Sequence, residues 1–253
     1  ALLGRLFEIL HDVLVTWVVR DDELKVGVRV HQFAFLLERQ HPARIGQRMD
    51  HHGRVLARLY HLVEVTDCAV TYGEREIDFK AGTWRKDERE SAASIGFGYG
   101  VTQHWFTEIY RKYERSDSEG THFDAWEWEN KFQLTEPGEY PVDVGFIIEI
   151  EKPANTQEGY EVRLGPLLQK DIGKVQLNAN LLFEQHYRSD STQRSEFSYQ
   201  WQAKYRWKPE FEFGMQGFGD AGSFSGWDEV VEASHRMGPA VFGKIKVGDC
   251  KAI

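Results

Sequence analysis

Glutamates two residues apart are the first chemistry this sequence offers. Glu127 and Glu129 form one pair and Glu149 and Glu151 another, each separated by a large apolar residue. On an extended strand, residues at this spacing share a face, so two carboxylates there would suit acid–base work. Strand alternation explains the same spacing without any catalysis. Glu161, Glu184, Glu196 and Glu212 follow the pattern, and Lys131, Arg163, Lys204, Arg206, Lys244 and Lys246 supply opposite charge on equivalent positions. A hydrolase would need a Ser–His pair, for which His186 with Ser189 or Ser191, and His235 with Ser234, are the candidates. No diagnostic motif surrounds them, and histidines in polar loops are usually just solvated. Gly96, Gly98 and Gly100 share one strand face; no GxxxxGK[ST] follows, so they give a strand room to bend rather than a phosphate loop. The expectation is no catalytic residue, no cofactor and no metal site.

The elements that carry these residues are strands. Over 122–134, Trp126, Trp128, Phe132 and Leu134 oppose Glu127, Glu129, Lys131 and Gln133. Over 142–151, Val142, Val144, Phe146, Ile148 and Ile150 oppose Asp143, Glu149 and Glu151. Residues 175–186 and 196–208 repeat the pattern, the latter with Phe197, Tyr199, Trp201, Tyr205 and Trp207 on its apolar face. A period of two gives each run one apolar and one polar face, whereas a helix would scatter the charges over all sides. Weaker runs lie at 72–83, 91–101, 105–113, 160–169, 211–219 and 237–247, which brings the count to ten.

Between these runs the connections alternate in length. Polar links fall at 85–90, 114–121, 152–159, 188–194 and 220–235; tighter ones fall at 102–103, 136–140, 171–173 and 209–210. Long loops at one end and short turns at the other are the mark of an up-and-down membrane barrel. Trp84, Trp105, Trp126, Tyr160 and Trp207 stand near strand ends, as an interfacial girdle would. A soluble lipocalin-like barrel, burying the Phe/Trp/Val face, is the alternative that alternation alone leaves open.

Bulk properties agree. The net charge of −9 argues against a nucleic-acid partner. A mean hydropathy of −0.53 excludes a helical membrane protein but not a membrane barrel, in which only every second strand residue is apolar. Aromatics reach 13% of the chain, with eight Trp and sixteen Phe. Cys68 and Cys250 are the only cysteines and are expected to be free.

Residues 1–70 differ in character. They hold six of the ten histidines (His11, His31, His41, His51, His52, His61), eight Arg and a single Lys, Lys25. Their pattern reads as a helical stretch over 2–19, a short β-like run over 26–30 and a second helical stretch over 54–65. Arg5, Glu8, His11 and Asp12 interrupt the first stretch, so it is no signal peptide. The segment is expected to be helical, or else non-native or disordered.

Six motifs resemble a group of uncharacterised, porin-like proteobacterial outer-membrane β-barrel proteins: 70–80 (VTYGEREIDFK), 94–101 (SIGFGYGV), 126–134 (WEWENKFQL), 140–145 (YPVDVG), 199–207 (YQWQAKYRW) and 238–246 (GPAVFGKIK). The resemblance covers about residues 70–253 and its motifs are structural. It implies a barrel in the bacterial outer membrane and no particular activity. Members of the group begin with a signal peptide near the first strand and end on a strand closing with an aromatic residue. By that comparison this sequence is expected to lack a last hairpin and to leave its barrel open.

The sequence therefore predicts an all-β, antiparallel up-and-down (meander) transmembrane β-barrel over 71–253, with ten strands present of twelve, preceded by a mixed or poorly ordered segment over 1–70. Glu127, Glu129, Lys131, Glu149, Glu151, Arg163, Glu184, Glu196, Lys204, Arg206, Lys244 and Lys246 are expected to line its lumen. Those charges would border a water-filled pore, pair into a plug, or bind a polar solute. The expected partners are outer-membrane lipid and small polar solutes.

Overall fold

A computed structural model describes residues 12–21, 25–39, 65–85, 89–118, 120–188, 195–208, 211–223 and 234–249. Twelve antiparallel strands form one closed barrel. They are β1 (Asp12–Asp21), β2 (Lys25–Arg39), β3 (Arg75–Arg85), β4 (Arg89–Gly100), β5 (Trp105–Ser116), β6 (Gly120–Gln133), β7 (Asp143–Pro153), β8 (Tyr160–Ile172), β9 (Val175–Tyr187), β10 (Ser195–Lys208), β11 (Phe211–Ser223) and β12 (Ser234–Asp249). All reach the roughly 9–11 residues that a tilted strand needs to cross a bilayer.

The ten runs read from alternation are β3–β12, a continuous meander in which each strand pairs with the next. Their faces settle what alternation left open. In β6, Trp126 and Trp128 are 48% and 47% exposed while Glu127 and Gln133 are 9% and 7% exposed. The same inversion holds in β3, where Ile77 and Phe79 are exposed and Asp78 is buried, and in β11, where Phe213 and Met215 are exposed and Gln216 is buried. A soluble barrel would bury the aromatics, so the lipocalin-like alternative falls. Apolar outside and polar inside is the arrangement that a hydrocarbon solvent selects. The chain is a transmembrane β-barrel of the bacterial outer-membrane kind.

Loop length supports this less than the sequence suggested. Strands run further than expected, so two of the anticipated long links shrink to 86–88 and 117–119. Meanwhile the link over 134–142, expected to be tight, exceeds both. The two-residue turn after β8 is tight as anticipated, with Gly173 at a φ of 60° that favours glycine.

The N-terminal segment requires correction. Residues 12–19, read as part of a helix, belong to β1, whose Val13, Val15, Thr16, Val18 and Val19 are β-branched residues suited to a strand. The run over 26–30 is part of the longer β2. In β2 the apolar alternation changes phase after Val30, and the β1–β2 ladder slips by one residue at that point, Thr16 facing Gln32 and Trp17 facing Val30. Most of the second helical stretch, 54–64, lies outside the described residues. The hairpin β1–β2 sits between β3 and β12: β1 pairs with β3 and β2 with β12. The expected open edge is therefore closed, by the hairpin that precedes the meander and not by one following it.

β2 ends and β3 begins at opposite ends of the barrel, and residues 65–74 lead into β3 through the interior. Val65 is buried against Phe218 of β11. Cys68 is buried among Ile147, Leu167 and Leu182, its thiol donating to the Leu167 carbonyl at 3.3 Å. Asp67 meets Lys131 at 3.1 Å, and the Val70 amide donates to Gln133 Oε1 at 2.8 Å. Gly73 N–H then donates to the Gly100 carbonyl at 2.8 Å. This strap thus touches β11 first, then β6, β7, β8 and β9, and finally β4, crossing the interior near the end of the barrel where β3 starts.

Candidate functional site

Cross-strand register builds a charged belt on the inner wall of β5–β10. One row of directly opposed residues runs Glu108, Glu129, Glu149, Arg163, Glu184, Glu196. The neighbouring row runs Tyr110, Glu127, Glu151, Glu161, His186. Like charges directly opposite repel, so these rows are tolerable only with cations between them. Two side chains supply most of that charge. Arg163 reaches Glu149 at 2.7 Å, Glu161 at 2.9 Å and Glu184 at 3.3 Å. Lys112 reaches Glu127 at 2.5 Å and Glu151 at 2.6 Å. The planar guanidinium suits the first task, because its donors diverge in one plane toward several carboxylates.

Smaller pairs flank the belt. Lys80 contacts Asp78 at 3.0 Å and the Tyr110 hydroxyl at 3.1 Å, and that hydroxyl donates to Asp78 at 2.9 Å. Lys204 lies 3.6 Å from Glu212, and Arg206 lies 2.8 Å from Asp171. Further round, on β8–β11, the inner wall turns neutral. Gln169, Asn178, Gln202 and Gln216 stand opposite one another in one row, all buried. Asn180 and Gln200 face each other in the next, with Asn180 Nδ2 donating to Gln200 Oε1 at 3.2 Å.

Of the residues singled out by sequence, Glu127, Glu149, Glu151, Arg163 and Glu184 meet in the belt. Lys131 joins the strap, Lys204 and Arg206 form their own pairs, and Glu129 and Glu196 face Glu149 and Glu184 across the ladder. Lys244 and Lys246 pair by backbone with Arg29 and Gly27, and their side chains lie outside the description. Sequence reasoning missed Lys112 and Glu108. Their strand mixes Phe106 and Tyr110 into its inner face, which blurs the alternation that exposes polar positions elsewhere.

One ligand atom from each of Glu161, Glu184 and His186 lies within 4.8 Å of the others, a grouping that could hold a metal ion. Arg163 already donates to both carboxylates, and His186 Nε2 lies 3.2 Å from Glu184 Oε1, so the ion pairs account for the cluster. His235 Nδ1 is 2.7 Å from the Tyr199 hydroxyl. Ser189 and Ser191, proposed partners of His186, lie outside the described residues, as does the side chain of Ser234.

The barrel is similar in fold to solved outer-membrane proteins. A KdgM porin shares 7% identity over 91% of this chain and 99% of its own, with a TM-score of 0.45. A NanC porin shares 11% over 90% and 98%, also at 0.45. The outer-membrane expressed OmpT of Vibrio cholerae shares 8% over 93% and 96%, at 0.37. No family model and no curated protein matches the sequence. Identities this low and TM-scores below 0.5 leave the solute and any activity to the geometry of this chain alone. Its place is the bacterial outer membrane, the setting of single-chain barrels with an even strand count and an apolar outer band.

Proposed function

We propose that this barrel is a channel for small polar solutes in the bacterial outer membrane, with lipid around its apolar outer face. The observation that carries the reading is the interior: charged and amide side chains occupy the inner wall where a protein built only for stability would place hydrocarbon. Rings of charged side chains set ion preference in pores, and here carboxylates outnumber cations in the belt, which favours cationic or neutral solutes over anions. The test is reconstitution of the refolded chain in planar bilayers, with a salt gradient across the membrane. Discrete conductance steps with a cation-directed reversal potential are expected.

A second reading has its own support. The strap over 65–74 and the ion pairs of Arg163 and Lys112 both fill interior space, as in a non-conducting barrel whose interior serves as its core. Silent bilayers, from protein that shifts on heating in gels and is therefore folded, would establish that reading and overturn the channel.

A further inference from the structure

The cations of the barrel wall differ in the partners they meet. Those facing inward meet carboxylates, as Lys80, Lys112, Arg163, Lys204 and Arg206 do. Arg111 and Lys152 lie on the outer face and meet aromatic rings instead. The Arg111 guanidinium carbon is 5.1 Å from the centre of the Tyr113 ring, 5.2 Å from Phe123 and 5.5 Å from Trp126. Lys152 Nζ is 4.4 Å from the centre of the Tyr160 ring and donates to the Gly159 carbonyl at 3.1 Å. Among the described residues neither cation has an ion pair, and Arg111 donates no hydrogen bond. Ring faces hold a guanidinium in place and leave its fork of N–H donors unused.

Register sets the depth of this group. Arg111 faces Trp126 and Trp126 faces Lys152, so the three form one row across β5, β6 and β7. The next outward row on the same strands is apolar throughout: Ile109, Trp128 and Ile150. Further along β7 follow Ile148, Phe146 and Val144, and β8 passes from Tyr160 to Val162 and Leu164. The row of Arg111 therefore marks the edge of the hydrocarbon band on the side of the 154–159 loop, the depth at which lipid headgroups lie. Lys152 stands two strand spacings from Arg111, about 10 Å, and adds positive potential beside it. Arg115, exposed beyond Tyr113 on the same face of β5, adds a third charge.

We propose that Arg111 binds the phosphate of an anionic lipid headgroup against the outer face of β5–β7, with Lys152 and Arg115 supplying further positive charge. A phosphate accepts paired hydrogen bonds from a guanidinium and brings the negative charge that the described residues do not supply on this face. The acyl chains of such a lipid run over the Ile109–Trp128–Ile150 row. The proposal rests on lipid surrounding the outer face and not on conduction, so a silent bilayer leaves it standing.

The test is native mass spectrometry of the refolded full chain in detergent, titrated with phosphatidylglycerol or with zwitterionic phosphatidylcholine. The native sequence is compared with Arg111→Gln, Arg111→Lys and the control Lys174→Gln, which removes an exposed charge from the turn at the opposite end of the barrel. One phosphatidylglycerol is expected to bind in preference to phosphatidylcholine. Arg111→Gln should weaken it about fivefold, with phosphatidylcholine and the Lys174→Gln control unchanged. Arg111→Lys keeps the charge without the planar fork and should retain part of the preference. Arg111 is exposed, so its variants should still shift on heating in gels and thereby show that they fold. Equal affinity for the two lipids, or a preference that Arg111→Gln leaves intact, overturns the proposal while lipid still surrounds the barrel. Adducts of neither lipid overturn the lipid-facing reading along with it. A lipid-free mass of two chains gives this face to a second copy of the barrel and overturns the proposal too.

Discussion

The inner walls of β5–β8 and of β9–β11 are cut from the same alternation and solve burial differently. On β5–β8 the wall is ionic, and most of its buried carboxylates lean on a cation, often one from another strand: Lys112 lies on β5, but its partners lie on β6 and β7. On β9–β11 the wall is largely amide, and several of its polar atoms do without protein partners. Asn178 Oδ1, Asn180 Oδ1 and both polar side-chain atoms of Gln216 have no hydrogen-bond partner among the described residues. Neutral groups tolerate this where water can approach, while an unpaired buried charge does not. The ionic wall is therefore a cooperative unit that fails when one member is removed. The amide wall is a set of nearly independent positions.

The largest effect should come from the hub of the ionic wall. Arg163→Met strands Glu149, Glu161 and Glu184 together, and breaking a buried pair from one side costs about 3–5 kcal/mol. Urea unfolding in detergent, read by the gel shift on heating, should show that loss; a change below 1 kcal/mol would erase the contrast between the walls.

The strap gives an intermediate case, since it leans on both. A Cβ on Gly100 would fall 1.9 Å from the Thr71 carbonyl oxygen, an unyielding backbone contact. Gly100→Ala should displace the strap at about 1–3 kcal/mol, the range of overpacking in a filled interior. Cys68 reports the displacement. Burial, with Asp67 adding to it, pushes this thiol up to about 12, so it stays protonated at mildly alkaline pH. In a Cys250→Ser background at pH 8 a maleimide should leave native Cys68 unlabelled and modify it in Gly100→Ala. Equal labelling in the two would detach the strap from that contact.

The smallest effect is expected on the amide wall. Gln216→Leu removes no hydrogen bond and leaves no partner stranded, so stability should move by no more than about 1 kcal/mol. A loss comparable to that of Arg163→Met would show that the amides act as a network too.

The ten meander strands were legible because their signal is local: Trp126–Glu127–Trp128–Glu129 declares a two-faced strand whatever surrounds it. The first two strands were less so. β1 carries consecutive apolar residues, Val13–Leu14–Val15 and Trp17–Val18–Val19, which look the same in a helix, and β2 changes phase at a bulge. The site was legible as a set of inward polar positions but not as contacts. Nothing in the spacing of Glu149, Glu161 and Glu184 says that one arginine will hold all three, and Lys112 sits on a strand whose inner face is half aromatic.

By itself, then, the sequence determined which residues share a face of each meander strand, because side-chain direction in a strand is fixed by a two-residue period; which of the two faces meets lipid came from the burial in the folded barrel. Only the tertiary structure decided how the ring closes, that residues 65–74 cross the interior, and which carboxylates receive a cation. Those outcomes depend on register between strands far apart in the chain. A shift of one residue in any ladder would deal the charges to different partners.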